Sequence, residues 1–135
     1  MIKQKCYSKF LILGICLILC CAYTISCNST NKVKKNFLGI WDVEKIVTSS
    51  TVVTFGEVVP SVLVMEMSIQ FNDDNTYIIH YYVNGKEGDK YPQCGTFVVE
   101  GKTLVLSNGA IASITEDQLV IQTKDGSHQY CSRRK

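Results

Sequence analysis

From position 62 onward, apolar and polar side chains alternate with a period of two. Leu63, Met65, Met67, Ile69 and Phe71 are apolar, while Glu66, Ser68 and Gln70 between them are polar. Successive strand residues point to opposite faces, so this pattern predicts a half-buried strand over Val62 to Phe71. Asn72-Asp73-Asp74-Asn75 follows, four residues that tolerate tight-turn backbone angles. Thr76 to Val83 then resumes the alternation, with Tyr77, Ile79, Tyr81 and Val83 on one face. Asn84-Gly85 and Gly88 break the chain again. Further strands are predicted over Gly95 to Glu100, through Leu104 and Leu106, and over Ala110 to Thr115, Gln118 to Thr123 and Ser127 to Arg133, separated by Gly101-Lys102, Ser107-Asn108-Gly109, Glu116-Asp117 and Asp125-Gly126. An earlier strand is predicted over Gly39 to Val47. No segment of this region carries a helical apolar period.

Hairpin after hairpin leaves an edge problem. An open sheet exposes unpaired backbone groups on two strands, and closing the meander removes them. The count of about eight strands suits an antiparallel up-and-down β-barrel, whose interior side chains can fill or one small ligand can occupy. The expected fold is therefore all-β, as one domain over residues 37–135. Between its first two main strands, Ser49 to Pro60 carries Val52, Val53, Phe55, Val58 and Val59. That is too apolar for an idle loop. It reads either as a strand extension packed on the core or as a flap over the barrel mouth.

The first residues follow another pattern. Lys3, Lys5 and Lys9 precede an almost unbroken apolar run from Phe10 to Ala22, and Thr24-Ile25-Ser26-Cys27 follows. Basic, then apolar, then small before a cleavage point is the layout of an export signal helix. Phe10 to Ile25 falls short of the roughly 20 apolar residues of a permanent span, although a retained anchor is the rival reading. Ser26-Cys27 resembles the lipobox of bacterial lipoproteins, with Thr24 where leucine is usual. Among the signal-region cysteines only Cys27 follows a small residue. The resemblance implies a signal over residues 1–26, acylation of Cys27, and a membrane held through that lipid. Residues 27–36, rich in Asn, Ser, Thr and Lys, read as the tether.

Removing the signal changes the composition. The full chain has 14 basic and 12 acidic residues. Loss of Lys3, Lys5 and Lys9 leaves a net charge near −1, with no basic stripe for nucleic acid. Of seven cysteines, Cys6, Cys16, Cys20 and Cys21 leave with the signal and Cys27 takes lipid. Cys94 and Cys131 remain. An oxidising compartment favours a bridge between them. The meander opposes it, because they fall on the fourth and eighth strands at opposite rims and a disulfide needs Cα atoms within about 7 Å.

Candidate chemistry is sparse. His80 falls on the face opposite Tyr77, Ile79 and Tyr81, hence outside the barrel. No Gly-x-Ser-x-Gly elbow, phosphate loop, Cys-x-x-Cys pair or EF-hand spacing is present. Asp73-Asp74 and Glu116-Asp117 sit in turns, where solvent takes their charge. No catalytic residue, metal or cofactor is assigned.

Gly39-Ile40-Trp41 at the head of the first strand resembles the Gly-x-Trp signature that opens lipocalins. The stretches Phe71 to Tyr77, Gly95 to Leu106 and Ile114 to Leu119, with Tyr130, Arg133 and Arg134 near the end, are similar to small lipocalin-like lipoproteins of Bacteroidetes type. The resemblance implies that Arg133 or Arg134 packs over Trp41 and closes one end of the barrel. It also implies a Gram-negative cell envelope, at the outer membrane. Two functions follow as expectations. One is a tethered module binding a small apolar ligand inside the barrel, lined by Leu63, Met65, Met67, Tyr81, Phe97 and Leu104. The other is a structural or protein-interaction module with a filled core. Neither is an enzyme.

Overall fold

Alternating segments become strands, and each strand stops at the turn residues that follow it. The computed structural model describes residues 29–56 and 64–135. Its strands are β1 (Gly39–Val47), β2 (Val52–Thr54), β3 (Met65–Phe71), β4 (Thr76–Val83), β5 (Lys86–Glu87), β6 (Gln93–Glu100), β7 (Thr103–Leu106), β8 (Ile111–Thr115), β9 (Gln118–Gln122) and β10 (His128–Arg133). Sheet neighbours run β10-β9-β8-β7-β6-β4-β3-β1, and β10 pairs back onto β1. Eight antiparallel strands thus close into an up-and-down barrel. Short β2 extends the sheet from β1, and β5 folds back on β4.

Turn chemistry sets the hairpins. Glu116 and Asp117 both take positive φ, 51° and 64°. That is the backbone of a type I′ turn, whose twist matches the strands it joins. Asn84 and Gly85 do the same at 51° and 76°. At Gly95 the need for glycine is steric. A Cβ there would lie 2.5 Å from the Tyr77 ring and 2.6 Å from Ser107 Oγ, so the cross-strand Tyr77 ring takes the place of a side chain.

Inward faces match the period-two reading. Trp41, Val43, Ile69, Phe71, Tyr77, Phe97, Leu104, Leu119 and Cys131 are buried in one core. Edge-to-face contacts join Phe71 to Phe97 at 5.6 Å and to Phe37 at 6.3 Å, a geometry that aromatic quadrupoles favour. In β1 the pairing with β10 shifts between Val43 and Lys45. This bulge moves the inward phase by one residue, from Val43 to Ile46, which packs against the core.

One expectation changes and two open alternatives narrow. Residues 29–37, read as tether up to Asn36, are helical. Val33 and Phe37, four apart and so on one helix face, pack into the core. Lys34 Nζ lies 3.0 Å from an Asp73 carboxylate oxygen and donates to the Asp73 carbonyl at 2.7 Å, in the turn after β3. The compact unit carrying the barrel accordingly begins at Val33 rather than Phe37. Within Ser49 to Pro60, Val52–Thr54 is a strand paired with β1, while Glu57 to Pro60 lie outside the described residues. Finally, Arg134 does not share the Trp41 position with Arg133. The signal region, Cys27 and Leu63 also lie outside the described residues. Among the described residues, no helix is long and apolar enough to cross a membrane.

Candidate functional site

One end of the barrel is plugged. Trp41 pairs with Arg133 across the β1–β10 closure, and the Arg133 guanidinium lies 4.3 Å from the Trp41 ring centroid. Arg133 also donates to the Leu38 carbonyl at 2.7 Å and to the Asn36 carbonyl at 2.5 Å. Those carbonyls end the helical turn, where cations are favoured. From inside, Trp41 Nε1 donates to the Phe37 carbonyl at 2.8 Å. The plug therefore ties together the helix, the first strand and the last strand. Arg134 turns to the outer face instead, where its Nε donates to both Asp42 carboxylate oxygens at 3.1 and 3.0 Å. That bond holds the Arg134 guanidinium further above its ordinary pKa.

At the other end the barrel is uneven. Strands β3 and β4 run for seven and eight residues, but β7, β8 and β9 for only four or five. At about 3.3 Å per residue the longer pair stands on the order of 10 Å taller. Ile69, Phe71 and Tyr77, toward the plug, are sealed at 2%, 1% and 3% exposure. Met65, Met67, Ile79, Tyr81 and Val83, on the same inward face, are only half-buried. Tyr81 stacks obliquely on Tyr91 at 5.4 Å, and the Gly88 amide donates to its carbonyl at 2.9 Å. The loop after β4 thus forms a lip beside it. Of the expected interior set, Met65, Met67 and Tyr81 stand at this open end. Phe97 and Leu104 are sealed in the core, at 3% and 0%; the Phe97 ring packs edge-on against buried Phe71, and β4 runs on past its last β6 partner at Ile79.

A second recess lies on the outer face. Strand β1 pairs with β3 only from Gly39 to Asp42 and thereafter with β2. The wedge left between β1 and β3 is stitched by two bonds, Phe55 N–H to the Glu44 carbonyl at 2.8 Å and Gly56 N–H to the Met65 carbonyl at 3.2 Å. Over this seam runs a groove of about 550 Å³, lined by Asp42, Glu44, Glu66, Ser68, His80, Tyr82 and Arg134 among others, with Val43 and Met67 also reached. His80 does lie outside, but not alone. Its Nδ1 is 2.7 Å from Glu87 Oε1, and its ring stacks on Tyr82. Sequence reading missed this cluster. Asn84-Gly85 signalled the hairpin that returns Glu87 to His80. Nothing in the chain signalled the closing register that sets Arg134 beside Asp42. No group of three potential metal ligands converges among the described residues.

Cys94 is an exposed free thiol and Cys131 a buried one. Burial, with smaller contributions from Glu44 and Asp42, pushes the Cys131 thiol from 9.0 up to about 12. It stays protonated and poorly nucleophilic. Comparisons with protein-family models, with curated proteins and with solved structures find no match to this chain.

Proposed function

We propose that this chain is a membrane-tethered, lipocalin-like lipoprotein that binds a small apolar ligand at the open end of its barrel, without catalysis. The observation that carries the ligand reading is the half-exposed inward face of Met65, Met67, Ile79, Tyr81 and Val83 above a sealed core. Apolar side chains left in contact with water inside a concave wall gain free energy when a ligand covers them, at about 25 cal/mol per Å². Methionine suits such a wall because its unbranched thioether adapts to varied shapes. The plug supports the lipocalin likeness, since Arg133 over Trp41 is the closure that the Gly-x-Trp resemblance implies.

The tether rests on the sequence: Lys3 to Lys9, the apolar run to Ala22, and Ser26-Cys27. Two acyl chains on Cys27 hold a protein stably on a bilayer, where one does so only marginally. By the same resemblance the protein resides at the outer membrane of a Gram-negative envelope. A second reading, an envelope interaction module with a filled core, draws on Leu104, Ala112 and Leu119, each at 0% exposure.

Two experiments test the proposal part by part. Cys27→Ser should move the protein from the membrane to the soluble fraction, and undiminished retention would indicate an uncleaved helix instead. Solvent extracts of the purified protein should be enriched in one small apolar compound relative to extracts of Met67→Glu. Identical extracts would favour the filled-core reading.

A further inference from the structure

A register shift in β1 keeps a charge out of the open end. Trp41 and Val43 face inward, so strict alternation would carry Lys45 inward next. The bulge between Val43 and Lys45 prevents this. Lys45 pairs instead with Tyr130 on the outer face, its Nζ 4.8 Å from the ring centroid. Ile46 takes the inward place, packs against the core and pairs with Gln129. Lys86, opposite Val83, is exposed beside the tip of the β4–β5 hairpin.

Gln129 departs from the pattern in the other sense, as a polar side chain in an apolar row. It lies two residues before buried Cys131 on β10, at the end where β1 finishes opposite His128. Its cross-strand neighbours are Ile46 on β1 and Ile121 on β9, the latter 3% exposed. Cross-strand partners share a face, so Gln129 stands inward between two isoleucines. Polar groups of the adjoining hairpin satisfy one another. The Ser127 amide donates to the Asp125 carboxylate at 3.0 Å, and the Thr123 hydroxyl to the Ser127 carbonyl at 3.1 Å. The Gln129 side chain makes no hydrogen bond among the described residues. No buried side-chain polar atom among them lacks a partner, so this amide is partly buried yet reached by solvent. Gln93, the inward amide opposite Ile79, is by contrast exposed.

We infer that Gln129 is the polar contact of the open-end site, and that the ligand is uncharged, an apolar body carrying one hydroxyl or carbonyl group. This deepens the reading of the open end as a ligand site and rests on it. An amide both donates and accepts, so it can meet either group. A carboxylate is costly in apolar surroundings without a cation, and the bulge has moved Lys45 to the outer face. A pure hydrocarbon would cover the amide and leave it without a partner, which also costs free energy. An uncharged polar group is what the isoleucine-flanked amide accepts best.

Native mass spectrometry of the full-length protein in micelles tests this, with equimolar dodecane, 1-dodecanol and dodecanoate added in excess. Each variant is compared with wild type in the same micelles, so uptake of the probes by detergent cancels. On the wild type the dodecanol adduct should exceed the dodecanoate adduct. Gln129→Leu, similar in size to its neighbours, should lower the dodecanol-to-dodecane ratio about fivefold, as loss of one hydrogen bond does. Gln129→Lys should raise the dodecanoate adduct above that of dodecanol. Gln122→Leu, at an exposed position of β9, should leave the ratios unchanged. A dominant dodecanoate adduct on the wild type overturns the inference, since an acid head is then held at the rim. So does a dodecanol-to-dodecane ratio that Gln129→Leu leaves intact or that Gln122→Leu lowers as much, and so does a Gln129→Lys protein that still prefers dodecanol. In each of those results the open end still binds, and only the assignment to Gln129 and an uncharged ligand fails. Absence of every adduct removes the ligand site itself, and the inference with it.

Discussion

Arg133 is exposed, yet it stacks on buried Trp41 and donates to two helix-end carbonyls. Removing it by Arg133→Ala loses the cation–π contact and leaves those carbonyls to water. The expected cost is about 2 kcal/mol. Arg134→Ala, which breaks a surface pair with Asp42, should cost less than about 1 kcal/mol. Urea denaturation of both variants checks the difference, and equal losses would contradict the plug. Gly95→Ala should cost about 1–3 kcal/mol, because the new Cβ would force the Tyr77 ring and Ser107 aside. Cys131 makes a pH prediction. Its folded pKa is raised, so above pH 9 the unfolded chain gives up a proton that the folded chain keeps. The stability linked to this thiol is whole below 9.0 and falls as pH rises toward about 12. Cys131→Ala should therefore show a shallower decline over that range than wild type. Indistinguishable slopes in the two proteins would refute the assignment. Residue types alone showed which side chains face inward. The plug needed the Trp41–Arg133 register, which exists only once the barrel has closed.

At the scale of elements, local periodicity read well where one face is wet and one is dry. Thr76 to Val83 is found as a strand with the same bounds. The run expected from Gly95 begins two residues earlier, at Gln93, since pairing with β4 extends it past the last alternating pair. The helical segment at 29–37 escaped notice for a physical reason. Its Ser, Thr and Asn residues have the low helix propensity of a linker, and only Val33 and Phe37 supply an apolar face. Tertiary burial, not propensity, holds it. Phe37→Ala should accordingly cost about 3–5 kcal/mol, measurable as a lowered urea midpoint. A loss below about 1 kcal/mol would mean that the segment does not seal the core. The Glu116-Asp117 turn offers the opposite sign. Both residues occupy positive φ, where Asn-Gly is favoured. The double change Glu116→Asn, Asp117→Gly should raise stability by roughly 0.5–1 kcal/mol and increase Tm.

Across the whole molecule, the cost of unpaired strand edges favours closure, and β10 does pair with β1. The uneven rim was not legible, because it depends on how strands of different length are staggered around the ring. Yet this unevenness is what leaves Met65, Met67 and Tyr81 half-buried while Phe97 and Leu104 are sealed. The central claim is that this open end holds one small apolar molecule. Native mass spectrometry of the protein purified from cells tests it most directly, because detergent is stripped in the gas phase while an enclosed ligand is retained. We predict a one-to-one adduct on the wild type and on Val98→Glu, whose position faces outward at 57% exposure, and its loss from Met67→Glu. A bare wild-type protein, or an adduct that survives Met67→Glu, would contradict the account.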